Sequence, residues 1–450
     1  MLKSVELFFF TRAICVALLL GLAGFPYLSN AKDFIKKEVV VIVDGYSTGK
    51  DIVSGLRSYG YNVVHIKSSP DINKVYNEDI DHKYFITEIV YEGDIGSLLK
   101  KLSTFKIKFV IPASESGVIL ANSLSHNLHL PSNDPKKFLG LRDKYIMTKL
   151  VKDNGLKTVS FEKFSSIKDL VKWSKEINSW PLVIKPLKGA GGDKVIFCNN
   201  ITELKEAYFF LKKSKDVFGN PNDEVLVQTY AEGQEYMANL VLLNKKLFVV
   251  NVFEVNKRGA AYDSFRPLIA ADTKYVVVHD YLNKLVEALG IWNGAAHVEF
   301  KMSEDNIPVF IESGARIMGS ADLSFQTEIN GYNQLTILLE SYFDHKNFFK
   351  RIENFKFEDD ANKFGMNVAL ISNESGYLKR NLDLSKIIQL KTFHSFKTSV
   401  KVGSYLNKTV DLLSSPGAVH LISEDRTQLN HDYNSIRDLE QNIFKQAIQD

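Results

Sequence analysis

Cysteine is nearly absent: the 450-residue chain has only Cys15 and Cys198, which excludes a disulfide framework. An excess of charge of one sign is lacking too. The formal net charge of +3 is too small to point to nucleic acid, and no basic stripe with interleaved aromatics occurs. No internal repeat or long linker interrupts the chain. With 45% apolar, 12% aromatic and 24% charged residues, the composition is that of a globular protein and lies outside the disordered and low-complexity classes. Two familiar phosphate signatures are also missing. Asp44-Gly-Tyr-Ser-Thr-Gly-Lys50 has one residue too few between its glycines, and Asp51 stands where a Walker A loop needs Ser or Thr. No Gly-x-Gly-x-x-Gly pattern accompanies it, so it reads as a strand-to-helix turn. No Ser–His or Cys–His pairing stands out as a nucleophile system.

The N-terminus carries its own signal. Lys3 and Arg12 precede the apolar run Ala13–Gly24, and Ser29-Asn30-Ala31 offers the small residues of a cleavage site. Residues 1–31 therefore read as a signal peptide or an N-terminal anchor. The stretch Leu7–Leu28 is interrupted by Arg12 and Pro26, which makes it marginal as a spanning helix. Lys32, Lys36 and Lys37 follow, and positive-inside reasoning would keep the remainder cytoplasmic. Export and membrane association both stay open.

The length suits about three domains. After residue 37 the pattern is strand–helix alternation: strands at Glu38–Asp44, Tyr61–Lys67 and Lys106–Ala113, helices at Lys50–Tyr59, Ile95–Ser103 and Glu115–His126. Near-continuous apolar strands in such an order imply a small parallel, doubly wound sheet whose strand ends face a ligand crevice. A second unit opens near Leu141. It has strands at Pro181–Lys185, Lys194–Cys198, 224–230, 235–243 and 246–255, and helices at 201–214 and Val276–Leu289. From about residue 355 short strands return, including Gly365–Ile371, and the chain ends in a helix over Ser435–Gln446. The expected domains are 38–140, 141–350 and 355–450.

Chemistry concentrates in residues 295–316. Two alternating strands joined at Asp305-Asn306 would pair residues whose numbers sum to 611. Glu299 then lies opposite Glu312, with side chains about 4.5–5.5 Å apart. Two facing carboxylates repel; a divalent cation between them converts repulsion to ligation, and Mg²⁺ favours one or two protein carboxylates plus substrate phosphates. A slip of one residue would send one glutamate to the other face. His297 shares the Glu299 face by the period-two rule, either as a substrate contact or as a packing histidine. Lys188-Gly-Ala-Gly-Gly-Asp-Lys194 lies between two strands, and its free N–H groups suit an anion; the alternative is a flexible hairpin tip. Lys185 closes the apolar strand before that loop, where a cation needs a partner. Val225-Leu-Val-Gln228-Thr-Tyr230 and Glu235 offer polar groups for a purine and a ribose. Arg258, Tyr262 and Arg266 fall in an expected loop, Lys257–Pro267, as candidate substrate contacts.

The order of these parts resembles the ATP-grasp superfamily: Arg142-Asp143-Lys144, Val183-Ile-Lys185-Pro, the glycine loop, Val227-Gln228-Thr-Tyr230, Gly233-Gln-Glu235, His297-Val-Glu299 and Ile311-Glu312-Ser-Gly-Ala-Arg316. The resemblance covers roughly residues 140–345. Ser415-Pro-Gly-Ala-Val and Ile436-Arg-Asp-Leu-Glu440 are similar to the last subdomain of the bacterial L-amino-acid ligase branch. It implies α/β and α+β architecture: a Rossmann-like pre-ATP-grasp domain, a two-lobed ATP-grasp domain and a small C-terminal α+β subdomain. It also implies ATP phosphates held by Lys144 and Lys185 under Gly189, Gly191 and Gly192. Adenine would meet Gln228 and Tyr230, ribose Glu235, and Mg²⁺, with Mn²⁺ as a substitute, Glu299 and Glu312. Arg316 would face the acyl phosphate or the substrate carboxylate, with Lys185 and Arg316 as the catalytic cations. Many members carry Asn two residues after the second metal glutamate, where this chain has Gly314, which puts a second metal ion in doubt.

The expected reaction is ATP-dependent joining of a small carboxylic acid to an amine, both from the amino-acid class, through an acyl phosphate. The alternatives are a phosphoryl-transfer enzyme or a silent nucleotide sensor. No nucleic-acid partner is expected, and oligomeric state stays open. Mg-ATP favours a cytoplasmic catalytic part.

Overall fold

The apolar run after Lys37 forms β1 (Lys37–Val43), whose Val39 to Val43 are fully buried, as a strand covered on both faces requires. It is followed by α1 (Gly49–Ser58), β2 (Asn62–Lys67), α2 (Ile72–Tyr76), β3 (Phe85–Val90), α3 (Ile95–Leu102), β4 (Phe105–Pro112) and α4 (Val118–Asn127). The four strands are parallel in the order β3-β2-β1-β4. β3 is an edge strand with every residue only partly buried, so no continuous apolar run announces it in the sequence. The chain leaves β1 toward β2 on one side and returns to β4 on the other. A switch point therefore opens at the carboxyl ends of β1 and β4, and Asp44 and Glu115 stand there.

The small lobe begins with α5 (Lys144–Asp153). Asp143 caps it, its carboxylate accepting from the N–H groups of Tyr145 and Ile146, which fixes Lys144 at the first helical position. β5 (Phe161–Phe164), α6 (Ile167–Ile177), β6 (Leu182–Pro186), β7 (Ile196–Cys198), α7 (Ile201–Lys213) and β8 (Val225–Thr229) follow. These strands are antiparallel in the order β5-β8-β6-β7, closed by a core that includes Leu170, Ile184, Leu211 and Val227.

The remaining elements build a central sheet and its covers. They are β9 (Gln234–Leu243), β10 (Lys246–Arg258), β11 (Ala261–Pro267), α8 (Thr273–Leu289), β12 (Gly294–Met302), β13 (Pro308–Gly314), α9 (Leu323–Asn330), α10 (Gln334–Phe343) and α11 (His345–Asn354). Then come β14 (Phe364–Ala369), β15 (Gly376–Tyr377), α12 (Ser385–Ile388), β16 (Phe393–Thr398), β17 (Tyr405–Leu406), β18 (Gly417–Ser423) and α13 (Arg426–Ile448). Eight strands make one antiparallel sheet, β13-β12-β9-β10-β11-β14-β18-β16. The stretch after residue 355 thus contributes β14, β18 and β16 to the same sheet that carries the glutamate hairpin. Tyr236, Ala238 and Leu240 of β9 join a core with Val278, Leu282 and Leu285 of α8. Alternation then turns Glu235, Met237 and Asn239 to the opposite face.

The computed structural model describes residues 37–450 apart from 77–79, 269–272, 320–321, 356–362, 413 and 450. Residues 37–450 form one compact unit. The leader-like segment 1–31 lies outside the described residues, among which no helix is long and apolar enough to cross a membrane. Two expectations are corrected. The stretch Lys257–Pro267 is a hairpin of β10 and β11, in which Ala261 and Ser264 are buried and paired. The final helix runs over 23 residues, Arg426–Ile448.

Candidate active site

The hairpin of β12 and β13 places Glu299 directly opposite Glu312, with His297 opposite Gly314. The route differs from a two-residue turn at 305–306. Ser303 N donates to Ile307 O at 3.2 Å and Asn306 N to Ser303 O at 2.9 Å, so the turn spans five residues, with Asn306 at φ 56°. A register shift between Glu299 and Phe300 absorbs the difference and restores the pairing at the glutamates. Phe300 anchors the strand beneath them: it is fully buried and stacks on Tyr236 at 5.6 Å between ring centres.

Cations converge on this pair from three elements. Lys144 Nζ lies 2.9 Å from Glu312 Oε1 and donates to Gly189 O at 2.6 Å. Lys185, at the end of β6, is 4% exposed; burial pulls its ammonium below the ordinary lysine value, against the attraction of Glu312 and Glu299. Lys257 of β10 pairs with Glu235 Oε1 at 2.5 Å and lies over the Tyr262 ring at 4.4 Å. Burial raises the Glu299 carboxyl, but His297, Lys257 and Lys185 together hold it well below the usual carboxylate range. Glu299 is therefore an anion at neutral pH. Tyr262 is kept a neutral phenol by burial and by the nearby glutamates Glu299, Glu235 and Glu312.

The glycine loop closes over the lysines from the small lobe. Gly191 and Gly192 have φ of 64° and 76°, and Asp193 pairs with Lys194 at 2.7 Å. Gln228 is buried on β8, opposite Val183 of β6. Tyr230 follows at the hinge, exposed, with its hydroxyl receiving Lys301 Nζ at 2.9 Å. The chain crosses to β9 through Gly233, at φ 103°, where a β-carbon would come within 2.0 Å of Met302 O. Only glycine fits, and the hinge is thereby pressed against the end of β12. Glu235 then faces Lys301 across β9 and β12. Tyr230 and Glu235 are thus tied through Lys301 and Lys257 to the central sheet, which carries the carboxylate pair.

Arg316 and Arg142 are joined by a residue that the sequence did not single out. Glu115, just after β4, puts Oε2 2.8 Å from Arg316 Nε and Oε1 2.5 Å from Arg142 Nη1. Burial raises this carboxyl, and the two guanidinium groups bring it down to about 2. Arg142 also donates to Lys188 O at 2.9 Å. A strand-end acid at the switch point of a parallel sheet is the signal that would have flagged Glu115.

The other candidates separate. His297 Nδ1 is 2.9 Å from Asn239 Oδ1 and its Nε2 is 3.5 Å from Glu299 Oε1, so the ring belongs to the site face. Arg258 is held by Asp263 at 2.9 Å, and Arg266 by Glu254 at 2.6 Å across the β10–β11 hairpin. Alternation sets both on the face away from Lys257. Tyr262 and Lys257 are the members of that hairpin that reach the carboxylates.

The donor set suits Mg²⁺. Two in-register carboxylates, one held ionised, leave the remaining positions to phosphate oxygens and water, as this ion prefers. Among the described residues no group of three or more His, Cys, Asp or Glu is gathered for a metal.

Residues 178–323 match the ATP-grasp domain family. The chain is 28% identical over 421 residues to dapdiamide A synthase of Enterobacter agglomerans, covering 92% of this chain and 98% of that one. The L-amino acid ligase from Bacillus licheniformis superposes with a TM-score of 0.70 at 19% identity, covering 90% and 97% of the two chains. N5-carboxyaminoimidazole synthetase from Staphylococcus aureus, solved with ADP, gives a TM-score of 0.61 at 17% identity, with 90% and 99% covered.

Proposed function

We propose, from the premise that this chain is an ATP-grasp protein, that it is an ATP-dependent carboxylate–amine ligase working through an acyl phosphate. The observation that carries the reading is the Glu299–Glu312 pair, in register and flanked by Lys144 and Lys185.

A carboxylate oxygen of the donor attacks the γ-phosphorus of ATP, the bond to the bridging oxygen breaks, and ADP leaves. The amine then attacks the acyl carbon, phosphate departs with the C–O bonding pair, and the nitrogen loses a proton. Neither step needs a side-chain nucleophile; alignment and neutralisation of developing charge suffice. Lys144 and Lys185 hold the phosphates under the glycine loop, and Gln228, Tyr230 and Glu235 hold the nucleoside. Arg316, fixed by Glu115, stabilises the acyl phosphate. Glu299 and Glu312 would hold Mg²⁺, which would supply further neutralisation of the phosphate charge.

Donor and acceptor are α-amino acids in this reading, supported by the activity named for the L-amino acid ligase on which the chain superposes. The catalytic part is cytoplasmic, where Mg-ATP is abundant, and the N-terminal segment attaches it to the membrane. Protease accessibility in intact cells checks that placement; digestion from outside rejects it.

A matrix of amino-acid pairs with Mg-ATP, read by phosphate release and product mass, tests the reaction. Phosphate that requires both partners, with a product lighter than their sum by one water, is expected. Phosphate release that needs no amine, with no amide formed, would point instead to phosphoryl transfer.

A further inference from the structure

Phe218 belongs by chain to the small lobe, on the α7–β8 loop, yet it is absent from that lobe's core. It packs instead against Tyr46, Ile72 and Ile80, beside Tyr76 and Phe85, all from the N-terminal parallel-sheet layer. Its ring stands edge-on to Tyr76 at 6.5 Å. On its other side the Arg142 guanidinium lies over the ring, 4.8 Å from its centre. The loop is built to present it. Asp216, 7% exposed, accepts from the N–H groups of Phe218 and Asn220, both at 2.9 Å. Gly219 takes the chain through φ 83°.

Arg142 is where the small lobe meets the rest of the site. It touches Phe218 and Lys188 O from the small lobe, and Glu115 from the parallel sheet, whose second oxygen holds Arg316. A cation stacked on an aromatic face is a weak contact beside a buried ion pair. Such a contact can be made and broken at little cost.

We infer that Phe218 is a positioning residue: docking of its ring against Arg142 and Tyr76 couples closure of the small lobe to the Glu115-held Arg316, and shields the Arg316 side of the site from water. The inference rests on the ligase reading above. Without that shield, water attacks the acyl carbon of the intermediate, the C–O bond to phosphate breaks, and the donor acid and phosphate return with ATP spent. Loss of Phe218 should therefore uncouple ATP use from amide formation while leaving the nucleotide contacts of Lys144, Lys185 and Gln228 in place.

The test uses the full chain as wild type, Phe218→Ala and Phe218→Tyr. One arm follows deuterium exchange of residues 214–223 with and without Mg-ATP. The other supplies the twenty protein amino acids as donors with hydroxylamine as the trapping amine, and counts ADP per hydroxamate. Mg-ATP should protect 214–223 in wild type and Phe218→Tyr but not in Phe218→Ala. ADP per hydroxamate should rise several-fold and hydroxamate turnover fall about tenfold in Phe218→Ala, with the ATP dissociation constant within about twofold of wild type. No Mg-ATP protection of this loop in wild type, an unchanged ADP-to-hydroxamate ratio in Phe218→Ala, or equal loss of ATP affinity and turnover would overturn the inference. Wild type that binds Mg-ATP, protects the loop and yields no hydroxamate would instead count against the ligase reading.

Discussion

A β-carbon built on Gly314 would lie 2.8 Å from Glu115 Oε2. The acid that holds Arg142 and Arg316 thus occupies the space into which a side chain at position 314 would project. Gly314→Asn should therefore fail to add a metal ligand. It should instead displace Glu115, destabilise the protein by about 1–3 kcal/mol through overpacking, and depress turnover. Urea unfolding and ADP formation check this; wild-type stability with raised Mg²⁺ affinity would contradict it.

Glu115 also gives the fold an acid sensitivity. Its folded-state pKa of about 2 lies below the ordinary 4.5, so its contribution is fully present above about pH 4.5 and is lost as pH falls toward 2. At roughly 1.4 kcal/mol per unit the contribution is on the order of 3 kcal/mol. Glu115→Gln leaves two guanidinium groups without their anion, so it should lower stability at pH 7 and flatten its decline between pH 5 and 2. Chemical denaturation across that range measures both; a decline parallel to that of wild type would contradict the assignment.

Lys185 should separate stability from function. Its ammonium is disfavoured by burial, so an apolar isostere removes an unfavourable term. Lys185→Met is expected to keep or raise the melting temperature while ATP turnover falls by about 10²-fold or more, the cost of removing one preorganised charge from a transition state. A large fall in melting temperature with activity retained would contradict the role.

The glutamate pairing was legible because period-two alternation and a short turn constrain a hairpin closely. A five-residue turn and a compensating register shift reached the same pairing. Lys144 was legible only through the resemblance carried by Arg142-Asp143-Lys144, and Lys185 also through its place at the end of an apolar strand. β11 was not, since its buried Asp263 and Ser264 break apolar alternation; their partners lie on distant strands and on α13, where Tyr433 donates to Asp263 at 2.5 Å. Arg258 and Arg266 were grouped with Tyr262 only because a loop was expected, and strand alternation would have sorted Lys257 from Arg258. Glu115 carried one legible signal, an acid just past a parallel strand at the switch point, but its two arginine partners and the packing of Phe218 are contacts between layers, which no local pattern encodes.

The central claim is that Mg-charged ATP sits between the lysines under the glycine loop and the Glu299–Glu312 floor. Titration of ATP into the wild-type chain, with Mg²⁺ present and with Mg²⁺ chelated, tests it most directly. Binding that weakens at least tenfold on chelation, about 1.4 kcal/mol, is predicted. Equal affinity in both conditions, or no affinity for ATP in either, would contradict the account.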